Sequence, residues 1–551
     1  MLTRNGIVRV TLVGILGLAT LGSTLALQQR GDDYAFFDEL IELRHIIDKR
    51  FVEAPDMEKI RLGAIKGMVE ALNDPYSVYV PASERKAFTK QLTGEYVGIG
   101  AQVNVQDGWL TIVTPLEDAP AFKAGVMPDD RVTSIDGTST QNMVVDKCVE
   151  LLTGEPGTKV VIEIERKGEK KTIEIIREKI KTRSVKGYHR DPADPNRWEH
   201  LIDPASGIAY IRMTQFTPKV SEEVAAALMA SGAGTGSLKG LVLDLRFNPG
   251  GLLGEAVSIA DMFLREGVIV STKGRAIPEQ VARARTPGTL GEFPIVVLLN
   301  GQSASASEVL AGALVENNRA IVLGSRSFGK GSVQGLIEVP GGNGSEIKLT
   351  EQGYYLPSGR SITRKDDSAQ WGVDPTPGFY VPMTDQEVGA MLEVRRKEEI
   401  MRVTPDTHQD QHAKPEQWND PAWIEATLKD KQLAAAIKAL QAKLATGEWT
   451  PATDVAQATA TLAVDELRRI RELRERLLRE LERTDKREAA LEAGAGDAAS
   501  RAKVDLWDDA IELTGGVLEI RDKDGKVVMT FDITGPSLER WLFDADLKKR
   551  E

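Results

Sequence analysis

Residues 295–316 read IVVLLNGQSASASEVLAGALVE. Ile295 to Leu299 is an unbroken apolar run, which predicts a strand buried on both faces rather than one lying against solvent. A short serine-rich segment follows, and apolar residues at helical spacing then predict a helix over 307–316. The flanks repeat this alternation. Residues 220–231 predict a helix, LVLDL at 241–245 a second continuous strand, 252–263 a helix and 320–323 a third strand. The fold class expected for 220–338 is therefore α/β, a largely buried sheet with helical cover. A hairpin-like stretch over 346–355, with Pro357-Ser358-Gly359 behind it, closes the region.

Further upstream the period changes. Strands fit 99–105, 109–114, 131–135, 159–165 and 172–177, separated by turns at Gly108, Asp136-Gly137 and Lys167-Gly168. Two short helices, 119–124 and 144–152, interrupt them. Residues 33–92 are read as helical: Phe36, Leu40, Leu43 and Ile47 share one spacing, Ile60, Ile65, Met68 and Leu72 another. Asn73-Asp74-Pro75 ends the second helix. At the start, Arg4 and Arg9 precede an uncharged run over 10–27 that stops at Gln28-Gln29-Arg30. That run fits a signal peptide and an uncleaved membrane anchor equally, and either one exports the rest of the chain. Downstream of 381 lie charge-dense helical stretches at 420–445 and 465–492 and a hairpin, 517–521 with 527–533, around Asp524-Gly525. The expected organisation is a leader (1–30), a helical region (33–92), a mostly β domain (93–183), an α/β core (184–380) and a helical extension with a terminal β-hairpin (381–551).

A net charge of −12 argues against nucleic acid as the main partner, since phosphate binding needs a basic surface. The single cysteine, Cys148, excludes an internal disulfide and reads as a small buried hydrophobe. No metal-ligand spacing occurs, so neither a metal nor an organic cofactor is expected.

The segment Ser303-Ala304-Ser305-Ala306-Ser307-Glu308 has two readings. Ser305 and Glu308 fit the S-x-x-E capping box, which needs no chemistry. A serine at a helix N-terminus also stands where negative charge is favoured, and the next amide, that of Ala306, can point at a developing oxyanion. Such a serine needs a base. Of the five histidines none lies within 220–338, so a Ser-His-Asp triad has no obvious base there. A Ser-Lys pair is the alternative, and a lysine serves only where burial lowers its pKa. Lys330, alone between Gly329 and Gly331 in SFGKGSVQ (327–334), is the candidate, against its reading as a solvated loop lysine. Gly324 to Lys330 also meets the first seven positions of a P-loop, but Gly331 stands where a magnesium-binding hydroxyl belongs. Asn248-Pro249-Gly250-Gly251, where a strand turns into a helix, exposes backbone amides.

These motifs resemble, in order, those of the carboxy-terminal processing (tail-specific) serine proteases. The likeness rests on SASASE at 303–308, FGKGSVQ at 328–334, DLRFNPGG at 244–251, Gly67-Met68 with DPYS at 74–77, and YYLPSGRSI at 354–362, and it spans roughly 36–380. The element order from Gly94 to about Arg183 resembles a PDZ domain in the circularly shifted arrangement of bacterial proteases. There Gly98-Ile99-Gly100 would hold a tail carboxylate, and the tail would add as a strand between 101–105 and the 144–152 helix. The resemblance implies a crotonase-like core, Ser305 as nucleophile, Lys330 as general base and Gln334 as the residue that orients the lysine. It also places an oxyanion donor at Gly250 or Gly251 beside Ala306. If Gln334 reaches Lys330 the chain must curl, because in a straight strand the two are about 13 Å apart at ~3.3 Å per residue. The implied partners are proteins with apolar C-termini, with room for an adaptor, a membrane contact through the N-terminal segment and homo-oligomerisation. The implied place is the periplasm or cell envelope. The rival reading is a catalytically inactive PDZ scaffold of the envelope.

Overall fold

The computed structural model describes residues 37–453, except 86–87, 89–95, 181–182, 192–193, 195, 366–367, 369 and 401–416, together with parts of 464–485, 517–521 and 526–532. The leader read at 1–30 lies outside the described residues. The chain divides into two units, Met1–Ala458 and Thr459–Glu551.

The first unit is built on a five-stranded sheet ordered Val185–Lys186, Ile208–Met213, Gly240–Asp244, Ile295–Leu299, Ile321–Gly324. The last four strands run parallel and the first antiparallel. Because side chains alternate across a strand, Leu241, Leu243, Ile295 and Val297 enter one core. That core is closed by the helices Val220–Ala230, Leu253–Phe263 and Ala306–Glu316. Val242, Val296 and Leu298 enter a second core on the opposite face. Its cover is Ile437, Leu440 and Leu433 of the helix Lys431–Thr446, with Ile424 of Pro421–Thr427. Burial on both faces is what the continuous apolar runs required, but half of the cover comes from beyond 380. The boundary expected between 380 and 381 is corrected accordingly: it cuts through the core's own covering layer.

A second sheet pairs the ten-residue strand Glu346–Tyr355 with Ser332–Glu338 along one edge, and with Val78–Val80 and Val268–Lys273 along the other. The stretch read as a hairpin over 346–355 is thus one strand whose hairpin partner starts at Ser332. The region read as helical over 33–92 holds helices at 37–50 and Met57–Glu70, but also the strand Val78–Val80, which ties it into this sheet.

The PDZ-like stretch folds around its own core of Leu110, Ile112, Val132, Ile135, Ile162 and the fully buried Cys148. Its six-stranded sheet leaves Ala101–Gln106 at an edge, beside the helix Val145–Leu152. In the second unit Val517–Arg521 pairs antiparallel with Val527–Asp532, and the described residues of 464–485 are helical.

Candidate active site

Three neighbouring strands of the parallel sheet end at Asp244, Leu299 and Gly324, and the turn after each contributes to one site. The carboxyl ends of parallel strands are the usual place for a site in such sheets. The first turn carries Gly250 and Gly251, the second Ser305, the third Lys330.

Ser305 opens the helix Ala306–Glu316 with φ 57° and ψ −115°, a backbone state that L-residues rarely occupy. Its neighbours hold it there. Ser303 Oγ donates to Leu245 O at 2.9 Å, the Ala304 N–H to Asn248 O at 3.0 Å, and Ser307 Oγ to the same carbonyl at 3.0 Å. The hydroxyls of Ser303 and Ser307 are thus engaged in holding the first turn. Ser305 instead faces the Tyr354 phenol, whose pKa burial pushes up and the Ser305 side chain eases. Of the three serine hydroxyls, that of Ser305 alone donates to no carbonyl among the described residues.

Glu308 is fully buried and does more than cap the helix. Its Oε2 accepts the Ser305 N–H at 2.7 Å and the Lys330 N–H at 2.9 Å, while its Oε1 accepts the Gly329 N–H at 2.7 Å and Ser327 Oγ at 2.6 Å. Burial pushes its pKa up, against four hydrogen bonds that favour the anion. One carboxylate therefore fastens the Lys330 loop to the start of the Ser305 helix. Gly331 cannot carry a side chain here, since a Cβ would lie 2.3 Å from Thr363 Oγ1 and 2.7 Å from its amide nitrogen.

Lys330 is half-buried, with Nζ 4.7 Å from the centroid of the Tyr76 ring. Among the described residues it makes no ion pair and no side-chain hydrogen bond. Burial, and then the charge of Lys348, lower its pKa, while Glu308 and Asp74 act the other way. Tyr76 is placed by the DPYS turn: Ser77 Oγ donates to Asp74 Oδ2 at 2.6 Å and receives the Thr350 N–H at 3.0 Å. In sequence the DPYS turn marked a helix end and, like the stretch at 354–362, a motif of the family resemblance, but neither Tyr76 nor Tyr354 was read as a site residue.

The structure does not bring Gln334 onto Lys330. Gln334 lies at a bulge in the strand Ser332–Glu338, and its Nε2 donates to Ser332 Oγ at 2.8 Å and Thr350 Oγ1 at 3.2 Å. The two glycines divide their work differently. Gly250, at φ 99°, lies against the Ser305 segment: a Cβ there would come 2.8 Å from Ser305 Cβ and 3.0 Å from Ala306 N. Its own N–H is engaged by Asn248 Oδ1 at 2.9 Å. The N–H groups of Gly251 and Ala306 have no partner among the described residues.

In the β domain the Gly98-Ile99-Gly100 segment leads into the strand Ala101–Gln106 and lies against the end of the helix Val145–Leu152, where a Cβ on Gly98 would come 3.3 Å from Leu152 O. Ile99 O accepts the Ala121 N–H at 2.8 Å and Gly100 O the Leu116 N–H at 2.9 Å. The amides of Ile99 and Gly100 have no partner among the described residues. Gly100 has φ 70°, and a Cβ on it would meet Ala119 Cβ at 2.4 Å.

A small β domain with an open strand edge beside a helix, joined to an α/β core with a strained serine at a helix start, defines, as a class, a PDZ-bearing serine protease. Comparison with known proteins gives the particular family. Residues 207–377 match peptidase family S41, 97–176 a PDZ domain, and 27–83 the N-terminal domain of the activating protease CtpB. The chain is 41% identical over 318 residues to a carboxy-terminal-processing protease of Bartonella bacilliformis, covering 57% of this chain and 69% of that one. It is 31% identical over 408 residues to a probable CtpA-like serine protease of Staphylococcus epidermidis, covering 72% and 75%. Among solved structures, a photosystem II D1 C-terminal processing protease aligns with 25% identity and a TM-score of 0.35, over 62% of this chain and 92% of that one. This chain belongs to the carboxy-terminal-processing proteases of family S41.

Proposed function

We propose that this chain is an exported serine endopeptidase that takes hold of apolar protein C-termini through its PDZ groove and cleaves them with a Ser305/Lys330 dyad. The observation that carries the dyad is the shared oxygen: Glu308 Oε2 receives both the Ser305 and the Lys330 N–H. Two backbone nitrogens bound to one atom can be no further apart than the two bonds laid end to end. The nucleophile and the base thus start from adjacent points of the backbone.

In the proposed reaction the neutral Lys330 amine takes the Ser305 proton as Oγ adds to the scissile carbonyl. The carbonyl oxygen becomes an anion received by the Ala306 and Gly251 amides, both without a partner among the described residues. The ammonium then protonates the leaving amine, and an acyl-serine forms. Water attacks that ester with Lys330 again as base, which restores both groups. Gln334, anchored to Ser332 and Thr350, supports the strand behind the lysine and does not orient it. The substrate tail is proposed to lie along the open edge of Ala101–Gln106, with its carboxylate on the Ile99 and Gly100 amides.

The test compares wild type, Ser305→Ala and Lys330→Ala on a protein with an exposed apolar C-terminus. Cleavage should vanish in both variants while tail binding to the PDZ groove persists. Cleavage surviving in Ser305→Ala refutes the nucleophile. Fractionation of cells producing the chain tests export, which recovery in the cytosol alone would contradict.

A further inference from the structure

The turn that supports the nucleophile is itself held from behind. Leu245 O and Asn248 O bind the serine segment from one side, and the Phe247 N–H donates to Asn300 Oδ1 at 3.0 Å. Phe247 has φ 63°, a state that a bulky side chain disfavours, so the turn must be imposed by its surroundings. Arg246 extends from the same turn to the other side of the sheet, where its side chain is completely enclosed.

All five N–H bonds of that guanidinium are used. Nε and Nη2 donate to Asp244 at 2.9 and 2.7 Å, and Nη1 and Nη2 donate to Asp430 at 2.8 Å each. The fifth goes to Gln432 Oε1 at 3.1 Å. Asp430 is the N-cap of the helix Lys431–Thr446, where its Oδ1 accepts the Leu433 N–H at 3.0 Å. Arg395 Nη2 sits 3.3 Å from Asp244 and 3.4 Å from Asp430, so one buried and one partly buried cation face two buried anions.

We infer that Asp430 is a positioning residue for the hydrolytic site, acting through Arg246 on the 245–251 turn. It lies outside residues 207–377, the stretch that matches the peptidase family. The extension beyond 380 thus completes the active-site scaffold as well as covering the sheet. A guanidinium gripped along two edges has one orientation. With Asp430 gone it keeps Asp244, at the end of the strand that leads into the same turn, and the single longer bond to Gln432, so its second carboxylate anchor is lost. The oxyanion amide of Gly251 and the backbone under Ser305 then lose their fixed origin. The inference rests on Ser305 being the nucleophile.

The experiment uses the full chain and an apolar-tailed peptide, with kcat, KM and thermal melting measured for each variant. Wild type against Ser305→Ala first tests the nucleophile; cleavage by Ser305→Ala sinks that reading whatever residue 430 does. Asp430→Asn should lower kcat by about 10- to 100-fold, the cost of displacing reacting groups by a fraction of an ångström, with KM unchanged. Glu399→Gln breaks a different, partly buried set of ion pairs of the extension, with Arg212 and Lys186. It should lose comparable melting temperature yet keep kcat within about twofold. Wild-type kcat in folded Asp430→Asn overturns the inference, and so does an equal loss in Glu399→Gln. If Asp430→Asn does not fold, Asp430→Glu replaces it, keeping the charge but moving it by one methylene. A fall in its kcat at constant KM supports the positioning role, and an unchanged kcat refutes it.

Discussion

Adding one methyl group at Gly250 tests the architecture of the site directly. Its φ of 99° penalises any L-residue, by about 1–3 kcal/mol for a sparsely populated backbone state. The methyl would also meet Ala304 O at 2.7 Å, Ser305 Cβ at 2.8 Å and Ala306 N at 3.0 Å. None of these is the yielding end of a long side chain. All belong to the segment that holds the Ser305 hydroxyl and the free amide of Ala306, so relief of the contact must move the proposed nucleophile. Overpacking of this kind costs about 1–3 kcal/mol in stability, and a displacement near 1 Å costs about 100-fold in rate. Gly288 separates the two effects. Its φ is 93°, nearly the same, yet a Cβ there meets nothing within 4 Å. Gly288→Ala should therefore show the strain alone, with a lower melting temperature and kcat within about twofold of wild type. Gly250→Ala should melt lower still and lose at least about 100-fold in kcat on an apolar-tailed peptide. Wild-type turnover in Gly250→Ala, or an equal loss in Gly288→Ala, would refute the assignment of this glycine to the wall of the site.

The same geometry fixes other outcomes. Lys348→Gln removes a like charge that lowers the Lys330 pKa. That pKa then rises, less neutral amine remains at a given pH, and the rising limb of the rate–pH profile moves to higher pH; a shift to lower pH contradicts the base. Glu308→Gln puts an NH2 group where one carboxylate oxygen now accepts, leaving buried N–H groups unpaired at about 1–3 kcal/mol each. Its kcat should fall by about 10- to 100-fold, and unimpaired turnover in a folded Glu308→Gln protein excludes the brace. Burial pushes the Glu399 carboxyl up, but Arg212 and Lys186 outweigh it and hold the pKa at about 2. A carboxyl depressed on folding adds stability above its unfolded pKa of about 4.3 and loses it as pH falls toward 2. The urea midpoint should drop over that window, and less steeply in Glu399→Gln; parallel curves deny the linkage.

Much of this was legible in sequence wherever a pattern is local. The run at 295–299 allowed one conclusion because a strand apolar at every position must be covered on both sides. What covers it was not legible. In Lys431–Thr446 the buried Leu433, Ala436, Ile437 and Leu440 recur at helical spacing, yet spacing defines a face without naming its partner. The second sheet escaped for a related reason. Ser332–Glu338 contains a glycine and a bulge, and its pairing with 346–353 lies across a turn, while Val78–Val80 finds its partner at 346–348. In the site, Ser305 and Lys330 stood out because small residues surround them. Tyr76 did not, because an aromatic after proline in a turn says nothing about a lysine more than two hundred residues away.

In the proposed dyad a lysine base has to satisfy two opposed demands, and Glu308 meets both. The lysine must be held close to the serine, and a carboxylate is the strongest available clamp. A carboxylate paired with the ammonium, however, would stabilise the charged form and disable the base. Here the clamp grips the peptide N–H of Lys330 and leaves its side chain alone, so placement is gained without an ion pair. What remains is the weaker pull of Glu308 and Asp74 at longer range, which burial and Lys348 outweigh. Tyr76 offers Nζ a ring face, which attracts the cation but cannot accept its proton as a carboxylate would. The contact with the backbone rather than the ammonium is therefore the feature on which the proposed role of Lys330 as a base depends.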